Sequence, residues 1–174
     1  GANWTERTAP GSRSWTAITS SSDGTKLAAA ALPGYIYTST DSGANWTERT
    51  APGSRSWTAI TSSSDGTKLA AAALPGYIYT STDSGANWTE RTAPGSRSWT
   101  AISSSSDGAK LAAAGTNTYI YTSTDSGVNW TAQTASGSRD WNAITSSSDG
   151  TKLTAAVNPG YIYKSGRTLT RSSN

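Results

Sequence analysis

Apolar and polar positions alternate along "WTAITS" at residues 15–20, with Trp15 and Ala17 on one side and Thr16 and Ile18 on the other. The same holds along "YIYTST" at 35–40, where Tyr35 and Tyr37 oppose Ile36. Two-residue alternation among aromatic and β-branched side chains is the pattern of a half-buried strand. Between these segments lies "KLAAAAL" at 26–32. Alanine favours helix as a single residue, yet a stretch this short, closed off by Gly24 and Pro33-Gly34, falls below the about 12–15 residues that a helix standing on propensity needs. Its small side chains suit a strand buried between closely approaching sheets. "NWTERT" at 45–50 supplies a fourth strand, and turn signals separate the four: "APGS" at 9–12, "SSDGT" around Asp23-Gly24, "LPG" at 32–34 and "DSG" at 41–43. Asp-Gly between two such segments is a hairpin signal.

The arrangement recurs every 42 residues: 1–42 and 43–84 are identical, 85–126 departs from them only at 103, 109 and 115–118, and 127–168 keeps the pattern with more changes. The repeat is therefore the fold, and residues 1–174 are expected to form a single domain. Four short strands per unit predict an all-β β-propeller of four-stranded antiparallel blades, four blades per chain. Ala28 to Ala31 are expected to let neighbouring blades approach, with Trp4, Trp15, Tyr35 and Tyr37 filling wider gaps farther out. The N-terminal "GANWTERT" reads as a fourth strand and "YIYKS" at 161–165 as a third strand without a fourth. Pairing them would complete the last blade, in a velcro closure either within the chain or between two chains; the second case is a homodimer with an eight-bladed, twofold-symmetric ring. Near-identity of the units implies either recent duplication or deliberate design.

"STDSGANW" at 39–46 and 81–88, and "STDSGVNW" at 123–130, fit the pattern Ser/Thr-x-Asp-x-Gly-x-x-Trp. Ser39, Asp41, Gly43 and Trp46 occupy its fixed positions, as do Ser81, Asp83, Gly85 and Trp88, and Ser123, Asp125, Gly127 and Trp130. On these residues the unit resembles the Asp-box (BNR) repeat of sialidase-like β-propellers, across all four units. The resemblance implies a structural turn between third and fourth strands, away from the ligand-binding face. The chemistry points the same way: a short carboxylate accepts backbone N–H bonds in its own turn, glycine adopts a conformation closed to other residues, and tryptophan covers the turn. Asp23, Asp65, Asp107 and Asp149 in "SSDG" read as turn pins too. Calcium asks for more oxygen ligands than this run offers, so neither a metal nor another cofactor is expected.

Composition narrows the chemistry further. With no Cys and no His, disulfides, the usual zinc, haem and iron–sulfur ligand sets, and serine–histidine or cysteine–histidine catalysis are all excluded. The net charge of +3 comes from the last unit, where Arg139, Lys152, Lys164, Arg167 and Arg171 outnumber Asp140 and Asp149; the other three units are neutral. A tail effect of this kind lacks the clustered patch that phosphate binding needs, so no nucleic-acid partner is expected. No apolar run approaches the roughly 20 residues of a membrane span, and no membrane partner is expected either. Asn3, Asn45, Asn87 and Asn129 formally match a glycosylation sequon but read more simply as the start of the fourth strand.

In sialidase-like enzymes an arginine triad, a tyrosine with a glutamate partner, and an aspartate acid/base share one asymmetric centre. Here Glu6, Glu48 and Glu90 are the only glutamates and are copies of one another, while the arginines recur in step with the period. Glycoside hydrolysis needs a matched carboxyl pair or its equivalent, so the chain is expected not to be an enzyme. Binding has better candidates. The loops "APGSRSW" and "ALPGY" fall on one propeller face and present Arg13, Arg55, Arg97 and Arg139, each two residues before Trp15, Trp57, Trp99 and Trp141. Arginine beside an aromatic suits a sugar, a carboxylate or a peptide; in the competing arrangement it packs over the tryptophan or pins its loop through backbone carbonyls. The second loop varies, as "ALPG", "ALPG", "GTNT" and "VNPG", either by drift or by selection for different contacts. The leading expectation is a non-catalytic repetitive scaffold or binding module. A multivalent carbohydrate-binding propeller using the Arg/Trp loops is the alternative, and a degenerate sialidase-like glycosidase relative the third.

Overall fold

Strand-forming segments separated by tight turns fold back on themselves in sequence order. The computed structural model, which describes residues 3–8 and 10–166, contains fifteen strands and no α-helix among them. Blade 1 comprises β1 (Trp15–Ser20), β2 (Leu27–Ala31), β3 (Ile36–Ser39) and β4 (Thr47–Arg49). Blade 2 comprises β5 (Trp57–Ser62), β6 (Leu69–Ala73), β7 (Ile78–Ser81) and β8 (Thr89–Arg91). Blade 3 comprises β9 (Trp99–Ser104), β10 (Leu111–Gly115), β11 (Ile120–Ser123) and β12 (Thr131–Gln133), followed by a 3-10 turn at Thr134–Ser136. Blade 4 comprises β13 (Trp141–Ser146), β14 (Leu153–Val157) and β15 (Ile162–Lys164). Every sheet is an antiparallel meander in chain order. The alanine-rich segment is a strand paired on both sides, as its length and flanking breakers predict.

One register irregularity recurs in every blade and corrects the simple alternation. In blade 2 Trp57 opposes Ala73 but Ala59 opposes Ala72, so Thr58 is an extra, bulged residue. The bulge turns Trp57 onto the same face as Ile60 and leaves Ala59 on the other. Trp57 and Ile60 thus pack toward blade 1, against Ala28, Ala30 and Ile36, while Ala59, Ala70, Ala72 and Ile78 pack toward Trp99 and Ile102 of blade 3. Each seam therefore joins an alanine-rich back face to a tryptophan-bearing front face. Trp57, Trp99 and Trp141 are buried beside the inner strands, rather than filling outer gaps as expected, and Trp4 is wholly exposed.

Polar bonds repeat along the same seams. Thr16, Thr58 and Thr100 donate from Oγ1 to the carbonyls of Trp57, Trp99 and Trp141 at 2.8, 2.9 and 2.6 Å. Gly34 and Arg55 exchange two backbone bonds, N–H to O at 3.0 and 2.8 Å, which brings the second-to-third-strand loop beside the next blade's entry loop on one face.

The expected closure does not occur within the described chain. Residues 3–8 carry no strand, the fourth sheet has three strands among the described residues, and packed seams join only consecutive blades. Blade 1 has no blade in front of it: Trp15 is 39% exposed where Trp57 is 0%, and Ile18 is 66% exposed where Ile60 is 7%. No packed contact joins β13 to β1 among the described residues, so the last blade's inner strand does not cover the first.

Candidate functional site

The entry loops build the same stack in each blade. In blade 2 the Arg55 Nε donates to the Pro52 carbonyl at 2.8 Å, fixing the loop, and its guanidinium lies 4.7 Å from the centre of the Tyr79 ring. Tyr79 in turn meets the Trp57 edge at 5.1 Å and 80°. Across the ladder, Glu90 opposes Tyr79, accepts a hydrogen bond from its hydroxyl, and lies 3.7 Å from an Arg55 nitrogen. Blade 1 repeats the group with Arg13, Tyr37 and Glu48. Burial, helped by the hydrogen bond to Glu48, pushes the Tyr37 hydroxyl up to about 12, and Tyr79 is raised for the same reasons.

The arginines and tryptophans named from sequence are therefore close, but with a tyrosine between them. Arg13, Arg55, Arg97 and Arg139 cap Tyr37, Tyr79, Tyr121 and Tyr163 at 4.7, 4.7, 4.7 and 4.8 Å. Trp57, Trp99 and Trp141 are enclosed in the seams and have no face on which a ligand can rest; Trp15 alone of the four is open. The arginines thus pin their loops through backbone carbonyls, as in the competing arrangement, and cap a tyrosine rather than the tryptophan. Tyrosine and glutamate are the partners that loop spacing missed, although their recurrence at opposed positions of the third and fourth strands carried the signal.

Among the described residues, blades 3 and 4 lack the carboxylate. Ala132 opposes Tyr121 where glutamate stands in the first two blades, and no ion pair to Arg97 or Arg139 occurs among the described residues. Their guanidiniums are held by the carbonyls of Pro94 and Ser136 at 2.8 and 3.1 Å. The third-unit loop also differs: the Asp140 carboxylate accepts from the Asn117 backbone N–H at 2.9 Å.

The acidic motif residues lie elsewhere and are occupied. Asp41 accepts the Asn45 backbone N–H at 2.8 Å, the Asn45 side-chain amide at 2.6 Å and the Ser39 hydroxyl at 2.8 Å. These bonds, led by the Asn45 backbone, hold its carboxyl down to about 2; Asp83 and Asp125 are likewise held at about 2 by Asn87 and Asn129. Ser39 Oγ also accepts the Gly43 N–H at 2.9 Å, and the Trp46 indole donates to the Gly43 carbonyl at 3.0 Å. Ser81 and Trp88, and Ser123 and Trp130, repeat both bonds. Gly43, Gly85 and Gly127 have φ near 81–84° and follow Ser42, Ser84 and Ser126 at 57–58°, a serine contribution the sequence pattern did not single out. Asp23 belongs to the same class, held at about 2 by the Ser21 hydroxyl and by Thr25. No group of three or more side chains suited to a metal lies together among the described residues.

No protein-family model matches the chain, and no curated protein matches it in sequence. Solved structures match its fold. A GH74 enzyme from Niastella koreensis is similar with a TM-score of 0.68 and 22% identity, over 87% of this chain and 22% of that one. The computationally designed Ika4 protein is similar with a TM-score of 0.70 and 12% identity, over 87% of this chain and 90% of that one. YCF48 from Cyanidioschyzon merolae is similar with a TM-score of 0.68 and 16% identity, over 96% of this chain and 57% of that one. The chain spans less than a quarter of the GH74 enzyme and little more than half of YCF48. At identities this low the likeness shows a shared fold alone.

Proposed function

We propose that the chain is a non-catalytic propeller scaffold or binding module built from Asp-box repeats of the BNR type. One observation carries this reading: the recurring acidic groups of blades 1 to 3 are committed inside their own blades. Asp41, Asp83 and Asp125 tie their turns, and Glu48 and Glu90 are held by a tyrosine hydroxyl and an arginine. A glycosidase acid needs a carboxyl free to approach a leaving group, and its partner needs a different environment to split the two roles. Identical stacks repeated by the period supply neither. Incubating the full chain with a fluorogenic sialoside and with a β-glucan oligosaccharide tests this. No turnover is expected; turnover abolished by Glu48→Gln or Glu90→Gln would sink the proposal.

Carbohydrate or carboxylate binding is the second reading, and Ala132 favours it. Where glutamate is replaced, the Arg97 guanidinium lies over Tyr121 without a carboxylate partner, a cation beside an aromatic of the kind that takes an acidic sugar or a peptide carboxylate. A glycan array probed with the protein and with Arg97→Ala distinguishes the two: signal lost in the variant promotes the binder, and silence leaves the scaffold.

A further inference from the structure

The three internal seams are copies of one interface, and the row of blades ends in its two unmatched halves. At the front, Trp15 and Ile18 are exposed where Trp57 and Ile60 are covered by a back face. At the back, Ile162 is 77% exposed where Ile36 and Ile78 are 0%, because no following tryptophan face covers it. A surface that packs its own neighbour three times is complementary to a second copy of itself.

The edge of blade 4 carries a second, separate sign. In the first two seams an indole from the later blade's Asp box, Trp88 or Trp130, packs against the seam core. Trp88 lies beside Gly85, which also faces Leu69 and Thr38. In the third seam no indole occupies that place among the described residues, and a cavity of about 500 Å³ opens there. Leu153 and Thr122, the counterparts of Leu69 and Thr38, line it, together with Ile120, Ala155 and Tyr163. The segment whose sequence matches the missing strand is residues 3–8, "NWTERT", with Trp4 wholly exposed. It leads into β1 through the same "APGSRS" connection that carries β4 of blade 1 to β5 of blade 2.

We infer that two copies of this chain join head to tail, residues 3–8 of each forming the fourth strand of blade 4 in the other, to close an eight-bladed ring. The register follows from blade 1, where Thr47, Glu48 and Arg49 oppose Thr38, Tyr37 and Ile36. Thr5 then opposes Lys164, Glu6 accepts the Tyr163 hydroxyl beneath Arg139, and Arg7 opposes Ile162. Trp4 fills the cavity between blades 3 and 4. The front face of blade 1 covers the back face of blade 4 in the same contact, since strand and face are joined by one short connection. Two copies leave neither half unmatched, which satisfies closed symmetry within the known range of blade numbers. Asn142 and Thr154 stand where blades 1 to 3 have threonine and alanine, so the seam between copies differs in detail from the internal ones. The inference is independent of whether the module binds a ligand.

The chain has no cysteine, so a designed pair reports cleanly. Thr5→Cys with Lys164→Cys, oxidised mildly, is expected to run as a covalent dimer on a non-reducing gel and as monomer after reduction. Light scattering on the unmodified chain is expected to give twice the monomer mass. A crosslink that stays within one chain, no crosslink, or a monomeric mass overturns the inference, and a ladder of higher species overturns the two-copy ring. Mixing the two single-cysteine variants is expected to yield a disulfide between them, which a non-associating chain would not form preferentially over its own homodisulfides.

Discussion

The Thr58 hydroxyl donates to the Trp99 carbonyl at 2.9 Å across the seam between blades 2 and 3, from the bulged position of β5. The bulge and the bond belong together: the extra residue lets Thr58 and Ala59 both lie toward the following blade while Trp57 and Ile60 face the preceding one. Thr58→Val keeps the shape and strand preference but removes the donor, leaving a seam carbonyl short of a partner. A loss of about 1–2 kcal/mol is expected, read by urea denaturation, with Thr58→Ser retaining most of it. Unchanged stability in the valine variant would show that the bond is incidental.

The buried indoles are not equivalent. Trp141 donates from Nε1 to the Thr118 carbonyl at 3.0 Å, whereas the Nε1 groups of Trp57 and Trp99 are buried with no partner among the described residues. Replacing Trp141 with Phe removes a bond; replacing Trp99 with Phe removes an unsatisfied donor, which offsets part of the lost packing. Trp141→Phe is therefore expected to destabilise by about 1 kcal/mol more than Trp99→Phe, measured on the two variants in parallel. The reverse order would refute this account of the seam.

Strand positions and turn positions were legible because each depends on local signals: alternation, breakers and self-contained hydrogen-bonded turns. The bulge was not, because a strict two-residue period assigns Trp15 and Ala17 to one face and gives no sign that Thr16 is skipped. The tyrosine and glutamate beside the arginine were missed for a related reason. Arg55 and Trp57 are close in sequence, but Tyr79 and Glu90 reach the arginine only through the pairing of β7 with β8. Closure was read as a property of the chain's termini, whereas the exposed faces of blades 1 and 4 depend on how far three seams turn, which no local signal encodes.

Gly85 faces two demands at once. Its φ of +84° disfavours any side chain, and a Cβ built there would lie 2.8 Å from Thr38 Cγ2 in the preceding blade. Gly53 shares the first demand, at φ +81°, but meets nothing closer than 3.8 Å. Gly53→Ala is expected to cost about 1–2 kcal/mol for the left-handed backbone, and Gly85→Ala a further 1–3 kcal/mol or so for overpacking the seam. Thermal melts of both variants check the ordering; equal losses would mean that the Asp-box turn does not press on its neighbour.

Acid and base should weaken the fold for opposite reasons. Asp41, Asp83 and Asp125 sit at about 2 in the folded chain against an ordinary 3.8, so their contribution is complete above about 4 and is lost as pH falls toward 2. Tyr37 has the opposite displacement. It is raised from 10.0 to about 12, so the folded state prefers its neutral form; that preference is fully present below 10 and is lost as pH rises toward 12. A plateau between roughly pH 5 and 9 with two falling limbs is expected in a melting-temperature profile. Changing Asp41, Asp83 and Asp125 together to Asn removes three of the titrating charges and should make the acid limb shallower while lowering the plateau, leaving the alkaline limb in place; the rest of the acid limb belongs to Asp23, Asp65, Asp107 and Asp149, which are held low in the same way. Tyr37→Phe with Tyr79→Phe should flatten the alkaline limb alone. If the Asn variant kept the acid limb undiminished, the Asp-box carboxylates would not be the groups whose protonation loosens the blades.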